Sequence, residues 1–241
     1  MKPLSKAKFL IPNMFTLGNL FCGYLAIFYT LGFKVSLACY FVLLGTFLDF
    51  VDGLLARKLN SQTKFGSEFD ALADLLTCGM APVIIAFHFF SQSNLQNLGI
   101  VAGFFYCAGI AIRLARFNSL DSGIIHFRGL PSPAAAVTLV SFAQVAIEFE
   151  LNSYQTSLIL IAGLFCLSLL AVSRLIFVSL KAESTVKASH KLLIALIFGF
   201  IFYFGWFALF LLSLIYVLSG PAIMIYRGTK FKLSVRSLET L

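Results

Sequence analysis

Charge is what this sequence has least of. Only 12% of its 241 residues are Asp, Glu, Lys or Arg, about half of the ~25% typical of soluble domains. That deficit argues against an ordinary water-soluble domain. No low-complexity tract, linker or internal repeat interrupts the chain, so nothing marks a boundary between domains. The cysteines Cys22, Cys39, Cys78, Cys107 and Cys166 all fall inside apolar runs. Their spacing fits neither a metal motif nor a disulfide framework, and they read as buried packing residues. The first apolar run carries no small-residue cleavage site, so no cleaved signal is expected. A phosphate-cradling G-x-x-x-x-G-K-[ST] loop is also missing.

What is present is apolar: 60% of the residues are hydrophobic and the mean hydropathy is +0.95. A transmembrane helix needs roughly 20 mostly apolar residues. Eight such spans are read, over residues 14–31, 35–58, 66–90, 97–118, 132–149, 155–178, 190–205 and 207–226. The last two divide one long apolar block near Gly205. Runs this long and uniform exclude barrel strands. The expected fold is therefore an all-α integral membrane protein, a polytopic bundle of about eight transmembrane helices forming one domain over 1–241.

The net charge of +8 is distributed in short segments between spans, which points to topology and anionic lipid rather than nucleic acid. If the N-terminus is cytoplasmic, Lys34 alone of the 18 basic residues lies outside. Eight spans then return the C-terminus to the cytoplasm, with Arg227, Lys230, Lys232 and Arg236. A single long last helix would put those four on the wrong side.

Against this background four carboxylates stand out: Asp49, Asp52, Asp70 and Asp74. Each costs about 2.5–3.5 kcal/mol at a helix centre on the insertion scale, and ionisable residues there signal function. Asp49, Asp52, Gly53 and Ala56 share one helix face, and Gly66, Asp70, Ala73 and Asp74 share another. Small residues on both faces let the helices approach closely. An antiparallel hairpin brings both pairs to one depth, roughly 6–14 Å from the helix ends. Four unpaired anions at one level repel, and one or two divalent cations relieve this. All-oxygen ligation favours Mg²⁺ or Mn²⁺ over zinc. A proton relay or ion pathway in an ion-coupled transporter is the reading from another class, and plain ion pairing for packing is the bland one. Arg57 is the sole close cation, which does not balance the charge.

The full pattern resembles the CDP-alcohol phosphatidyltransferase motif, D-x₂-D-G-x₂-A-R-x₈-G-x₃-D-x₃-D, at Asp49, Asp52, Gly53, Ala56, Arg57, Gly66, Asp70 and Asp74. The resemblance implies a six-span core, 10–180, followed by an extra helix pair, 190–226. It implies transfer of a phosphatidyl group from a CDP-linked lipid, CDP-diacylglycerol, to an alcohol, with release of CMP. It gives Asp49, Asp52 and Asp70 as metal ligands and Asp74 as general base and a further metal contact. It gives Asn13, Thr16, Asp52, Gly53, Ala56, Arg57, Thr63 and Gly66 as contacts to the CDP-lipid. Asn13 has an alternative as a helix N-cap after Pro12. A homodimer is implied by the same resemblance.

Arg113-Leu-Ala-Arg116-Phe-Asn118 and Gly129-Leu-Pro-Ser-Pro-Ala-Ala-Ala136 resemble the phosphatidylserine synthase branch of that family. Arg113, Arg116 and Asn118 are then contacts to the acceptor, because Arg pairs well with a serine carboxylate. Snorkelling of the arginines to lipid phosphates is the bland alternative. L-serine is the expected acceptor, with glycerol phosphate or inositol phosphate as rivals, at a bacterial inner membrane with the site facing the cytoplasm. Gly99 and Gly103 are expected to pack helices within the fold or across a dimer. Trp206 is expected in an interfacial belt.

Overall fold

The computed structural model describes residues 3–59, 61, 63–119, 129–175, 177 and 203–224, with side chains from Leu10 onward. Seven helices make up these residues: α1 (Pro3–Leu31), α2 (Val35–Lys58), α3 (Lys64–Phe90), α4 (Gln96–Ser119), α5 (Ser132–Glu148), α6 (Ser153–Val172) and α7 (Tyr203–Met224). Six are long and apolar enough to cross a bilayer, α1 by its stretch Leu10–Leu31, while α5 is a shorter apolar helix. The protein is an all-α, multi-spanning membrane bundle, with no strand among the described residues.

The bundle is patterned inside out. α1 turns Leu10, Met14, Leu17, Phe21, Tyr24 and Phe28 outward and buries Thr16, Asn19, Cys22, Ala26 and Thr30. Lipid tails solvate the large apolar side chains as well as a protein core does, so helix contact selects small and hydrogen-bonding residues instead. Cysteines follow this rule unevenly: Cys22, Cys39 and Cys78 are buried and Cys107 partly so, but Cys166 on α6 is exposed. It lines an apolar cavity of about 470 Å³ between α5, α6 and α7, so helix-face position, not apolar context, decides its burial.

Several expectations shift. α1 begins ten residues before Asn13 and runs through Pro12, so Asn13 lies within a helix and is no N-cap. α5 ends at Glu148, one residue before the expected boundary, and α6 ends at Val172, six residues early. Gly129, at φ +88°, donates its N–H to Leu175 just beyond this helix, and Leu130 donates to Leu170 in its last turn. A side chain at Gly129 would strike the Ala171 carbonyl. Gly99 packs against the Phe90 ring and Gly103 against Val83, so this pair joins α4 to α3 within the fold. Trp206 is buried at 7% exposure, edge-on to Tyr40, and its indole donates to the Tyr40 hydroxyl at 3.2 Å. It thereby ties α7 to α2. Residues 190–202 of the expected seventh span lie outside the described residues. Gly205, with φ +55°, stands near the start of α7.

Close approach of α1, α2 and α3 depends on two glycines. A Cβ on Gly23 would collide with the Thr77 hydroxyl and come within 3.0 Å of the Thr77 Cα. One on Gly45 would lie 2.6 Å from Thr77 Cγ2 and 2.9 Å from Asn19 Oδ1. A Cβ on Gly53, one helix face along, meets nothing within 4 Å. Gly23→Ala is therefore expected to destabilise the folded protein by about 1–3 kcal/mol through overpacking. Gly53→Ala should be neutral or slightly stabilising, since Ala favours a helix over Gly by about 1 kcal/mol. Thermal unfolding of both variants in one detergent checks the contrast.

Candidate active site

The site forms where the last turns of α2 meet the first turns of α3, with α1 across them. α3 is started by Thr63, whose hydroxyl accepts the Gly66 N–H at 3.0 Å. This is an N-cap bond from a residue with extended backbone. It fixes where the helix begins and so which face carries Asp70 and Asp74, four residues apart. Immediately after Asp74 the helix widens into a π-helical turn, Leu75–Met80. π-turns are rare and recur at functional sites. Here three neighbours hold it: the Tyr106 hydroxyl donates to the Cys78 carbonyl at 2.9 Å, the Cys107 thiol reaches the Gly79 carbonyl at 3.5 Å, and the Thr77 hydroxyl donates to the Asn19 carbonyl at 2.9 Å.

The structure brings Asp49, Asp70 and Asp74 together. One carboxylate oxygen from each lies within 4.8 Å of the others. At that separation an ionised pair repels by roughly 3–4 kcal/mol at an effective dielectric constant of about 20. Asp74 is buried and receives an amide hydrogen bond from Asn19 Nδ2 at 3.1 Å. Asp70 Oδ1 is buried without a partner. Asp52 is also buried but is held separately, by the Thr16 hydroxyl at 2.6 Å. The expected tetrad is thus a cluster of three with a fourth carboxylate turned to α1.

This donor set fits a divalent cation. The three converging groups are hard oxygen donors suited to Mg²⁺ or Mn²⁺, and the orphaned Asp70 oxygen is a buried acceptor awaiting a positive partner. The hydrogen bonds of the nearby arginines go elsewhere, Arg113 to Ser132 Oγ at 3.0 Å and Arg116 to the Val172 carbonyl at 2.9 Å, although the Arg113 guanidinium still lies within electrostatic reach of Asp49 and Asp74.

Along the rim, Asn13 from α1 approaches Thr63 and Gly66, since a Cβ on Gly66 would lie 3.0 Å from Thr63 Oγ1 and 3.3 Å from Asn13 Oδ1. Gly53 leaves open space on α2, and Ala56 and the exposed Arg57 follow it toward the helix end. Of the three residues expected at the acceptor, Arg113 alone turns into the bundle, where its Nε is buried without a partner. Asn118 instead exchanges hydrogen bonds with Ser67 at the start of α3, at 3.0 and 3.3 Å.

The sequence motif does not single out Asn19, Thr77 or Ser132. A signal for Asn19 exists: it is an amide inside an apolar run, three residues past Thr16 and hence on its face. Asp70→Asn is expected to weaken Mn²⁺ binding by more than about tenfold, the scale on which even supporting residues of metal sites act. Titration of the purified protein followed by electron paramagnetic resonance checks it.

Comparison with known proteins agrees with this geometry. The family described as CDP-alcohol phosphatidyltransferase matches residues 9–168, which contain every residue of the site. A Helicobacter pylori protein named CDP-diacylglycerol–serine O-phosphatidyltransferase is 33% identical over 222 residues, covering 91% of this chain and 87% of that one. A Bacillus subtilis protein of the same name is 37% identical over 174 residues, covering 72% and 93%. The archaetidylserine synthase of Methanothermobacter thermautotrophicus is 32% identical over 145 residues, covering 59% and 61%. An acidic cluster where three membrane helices meet, inside a match that runs from α1 to α6, makes this chain a phosphotransferase that belongs to the CDP-alcohol phosphatidyltransferase family.

Proposed function

We propose that this protein transfers the phosphatidyl group of CDP-diacylglycerol to the hydroxyl of L-serine, giving phosphatidylserine and CMP. The observation that carries the reading is the convergence of Asp49, Asp70 and Asp74 beside an orphaned acceptor. The names carried by the relatives above favour serine over glycerol phosphate or inositol phosphate.

Asp49, Asp70 and Asp74 are the residues that hold Mg²⁺ or Mn²⁺, with Asp52 contributing from its Thr16-bound position. A divalent cation bound there supplies positive charge against the pyrophosphate of the donor. Asn13, Thr16, Asp52, Gly53, Ala56, Arg57, Thr63 and Gly66 bind the CDP-lipid. The open space beside Gly53 and the polar rim of Asn13, Thr63 and Gly66 support this, the first as room for a ligand and the second as hydrogen-bonding groups at its edge. Asp74 accepts the proton of the serine hydroxyl as general base. The hydroxyl oxygen bonds to the phosphatidyl phosphorus, the bond from that phosphorus to the CMP oxygen breaks, and CMP departs with the electron pair.

Arg113 receives the serine carboxylate. Its buried, unpartnered Nε beside the fully buried Ser132 supports this role, since Arg pairs with carboxylates through several donors. Arg116 and Asn118 bound the same end of the site.

The chain is read as crossing a bacterial inner membrane eight times with both termini in the cytoplasm. Residues 10–180 form the family core, 190–226 an added helix pair, and two chains a homodimer. The basic residues between spans support this orientation.

Purified protein supplied with CDP-diacylglycerol, Mn²⁺ and one acceptor at a time should release CMP with serine. Release with glycerol phosphate and not serine would reject the acceptor, and release with none would reject the reaction. Asp74→Asn should abolish turnover while leaving CDP-diacylglycerol binding largely intact, measured by equilibrium binding. Arg113→Gln should raise the KM for serine by more than about tenfold, the loss of a charged hydrogen bond of about 1.5–3 kcal/mol, with the donor KM unchanged.

A further inference from the structure

Asn19 lies wholly buried in α1, with no exposure to solvent or lipid. Its Nδ2 donates to Asp74 Oδ1 at 3.1 Å, and its backbone carbonyl accepts the Thr77 hydroxyl at 2.9 Å. The other atom of its amide, Oδ1, is buried with no partner. A buried amide that satisfies only one end carries a cost. Turning the amide over would not remove it, because two acceptor oxygens would then face each other at Asp74. The orientation is therefore fixed by Asp74 itself.

The surroundings are shaped to keep this arrangement. Gly45 leaves the space that Asn19 Oδ1 and Thr77 Cγ2 occupy, and Gly23 leaves the space taken by the Thr77 hydroxyl. Thr77 sits in the π-helical turn that begins one residue after Asp74. So Asn19 grips α3 twice, by side chain at Asp74 and by backbone three residues later. The first grip stops the Asp74 carboxylate rotating, and the second stops the helix sliding along α1.

We infer that Asn19 is a positioning residue for the phosphatidyl transfer: it fixes the Asp74 carboxylate so that one oxygen is committed to the protein and the other is free for chemistry, with Thr77 holding Asn19 in register. The inference rests on the reading of Asp74 as general base. Asn19 touches neither donor nor acceptor, and acts only through Asp74.

Asn19→Leu keeps the shape and removes the donor. In the purified full-length chain it should lower kcat with serine by about 10–100-fold, the range for partners that orient a reacting ligand. KM for CDP-diacylglycerol should stay within about twofold, because ground-state binding is untouched, and the unfolding temperature should stay near that of the parent protein. Unchanged kcat would overturn the inference. So would a loss of kcat accompanied by weaker donor binding and a lowered unfolding temperature, which a purely structural role produces. Should Asn19→Leu fail to fold, Thr77→Val decides: a severalfold drop in kcat at constant donor KM supports the inference, and any other result rejects it. Asp74→Asn separates the two levels. Full activity there removes the base and the inference with it. An inactive Asp74→Asn beside a fully active Asn19→Leu removes the inference alone.

Discussion

Carboxylates placed at bilayer depth must be answered by something, and most of this structure is the answer. Asp49, Asp70 and Asp74 meet within 4.8 Å, and neither water nor lipid at that depth offers the positive charge they need. The protein supplies neutral hydrogen-bond donors, with Arg113 within electrostatic reach of Asp49 and Asp74. Thr16 serves Asp52 and Asn19 serves Asp74, both from one face of α1. Full arginine pairing would have removed the charge and left no place for a cation or a pyrophosphate. Partial satisfaction by hydroxyl and amide groups keeps the carboxylates both tolerable and reactive.

Close packing follows from the same need. Donors as short as Thr and Asn reach a carboxylate only if helix axes approach, and Gly23 and Gly45 permit that. Once α3 is drawn against α1, its backbone loses the regular ladder over Leu75–Met80; α4 side chains take up the Cys78 and Gly79 carbonyls, and the Thr77 hydroxyl donates to an α1 carbonyl. The arrangement is cooperative: the carboxylates need Asn19 and Thr16, those need the glycines, and the π-turn accommodates the resulting fit. The helices α4, α5 and α6 then act as a buttress, with Tyr106, Ile110, Leu130, Leu160 and Leu164 wholly buried among them.

Legibility in the sequence tracks how anomalous a residue is in its local setting. Aspartates inside apolar runs are anomalous, and their i, i+3 and i, i+4 spacing placed them on facing helices without any structure. Glycine and alanine beside them added the close approach. Asn19 was hidden because one amide in a long apolar helix has several ordinary explanations, and only α3 reveals which applies. The π-turn over Leu-Leu-Thr-Cys-Gly-Met has no sequence signature, since its cause lies in Tyr106 and Asn19 on other helices. Trp206 has the same ambiguity in reverse: an aromatic near a helix end fits a headgroup belt, yet here it packs on Tyr40. Asp52 shows the limit of spacing, which gives the face of a carboxylate but not which neighbour claims it.

The site draws its carboxylates and their donors from α1, α2 and α3, which leave a ribosome ahead of α4 to α7, since chains are made and fold from the N-terminus onward. Thr16 and Asp52 both exist once α2 is complete, so that carboxylate can enter the membrane already covered. Asp49 has no such companion until α3 follows, and α3 brings two more charges rather than a neutral donor for it. The hairpin of α2 and α3 is therefore expected to enter lipid as one unit, with the helix ends that carry Asp49, Asp70 and Asp74 near the aqueous edge and the basic segment 57–64 between them. Biogenesis thus asks of this corner of the molecule what a cation site would also ask: reach to ions from the water.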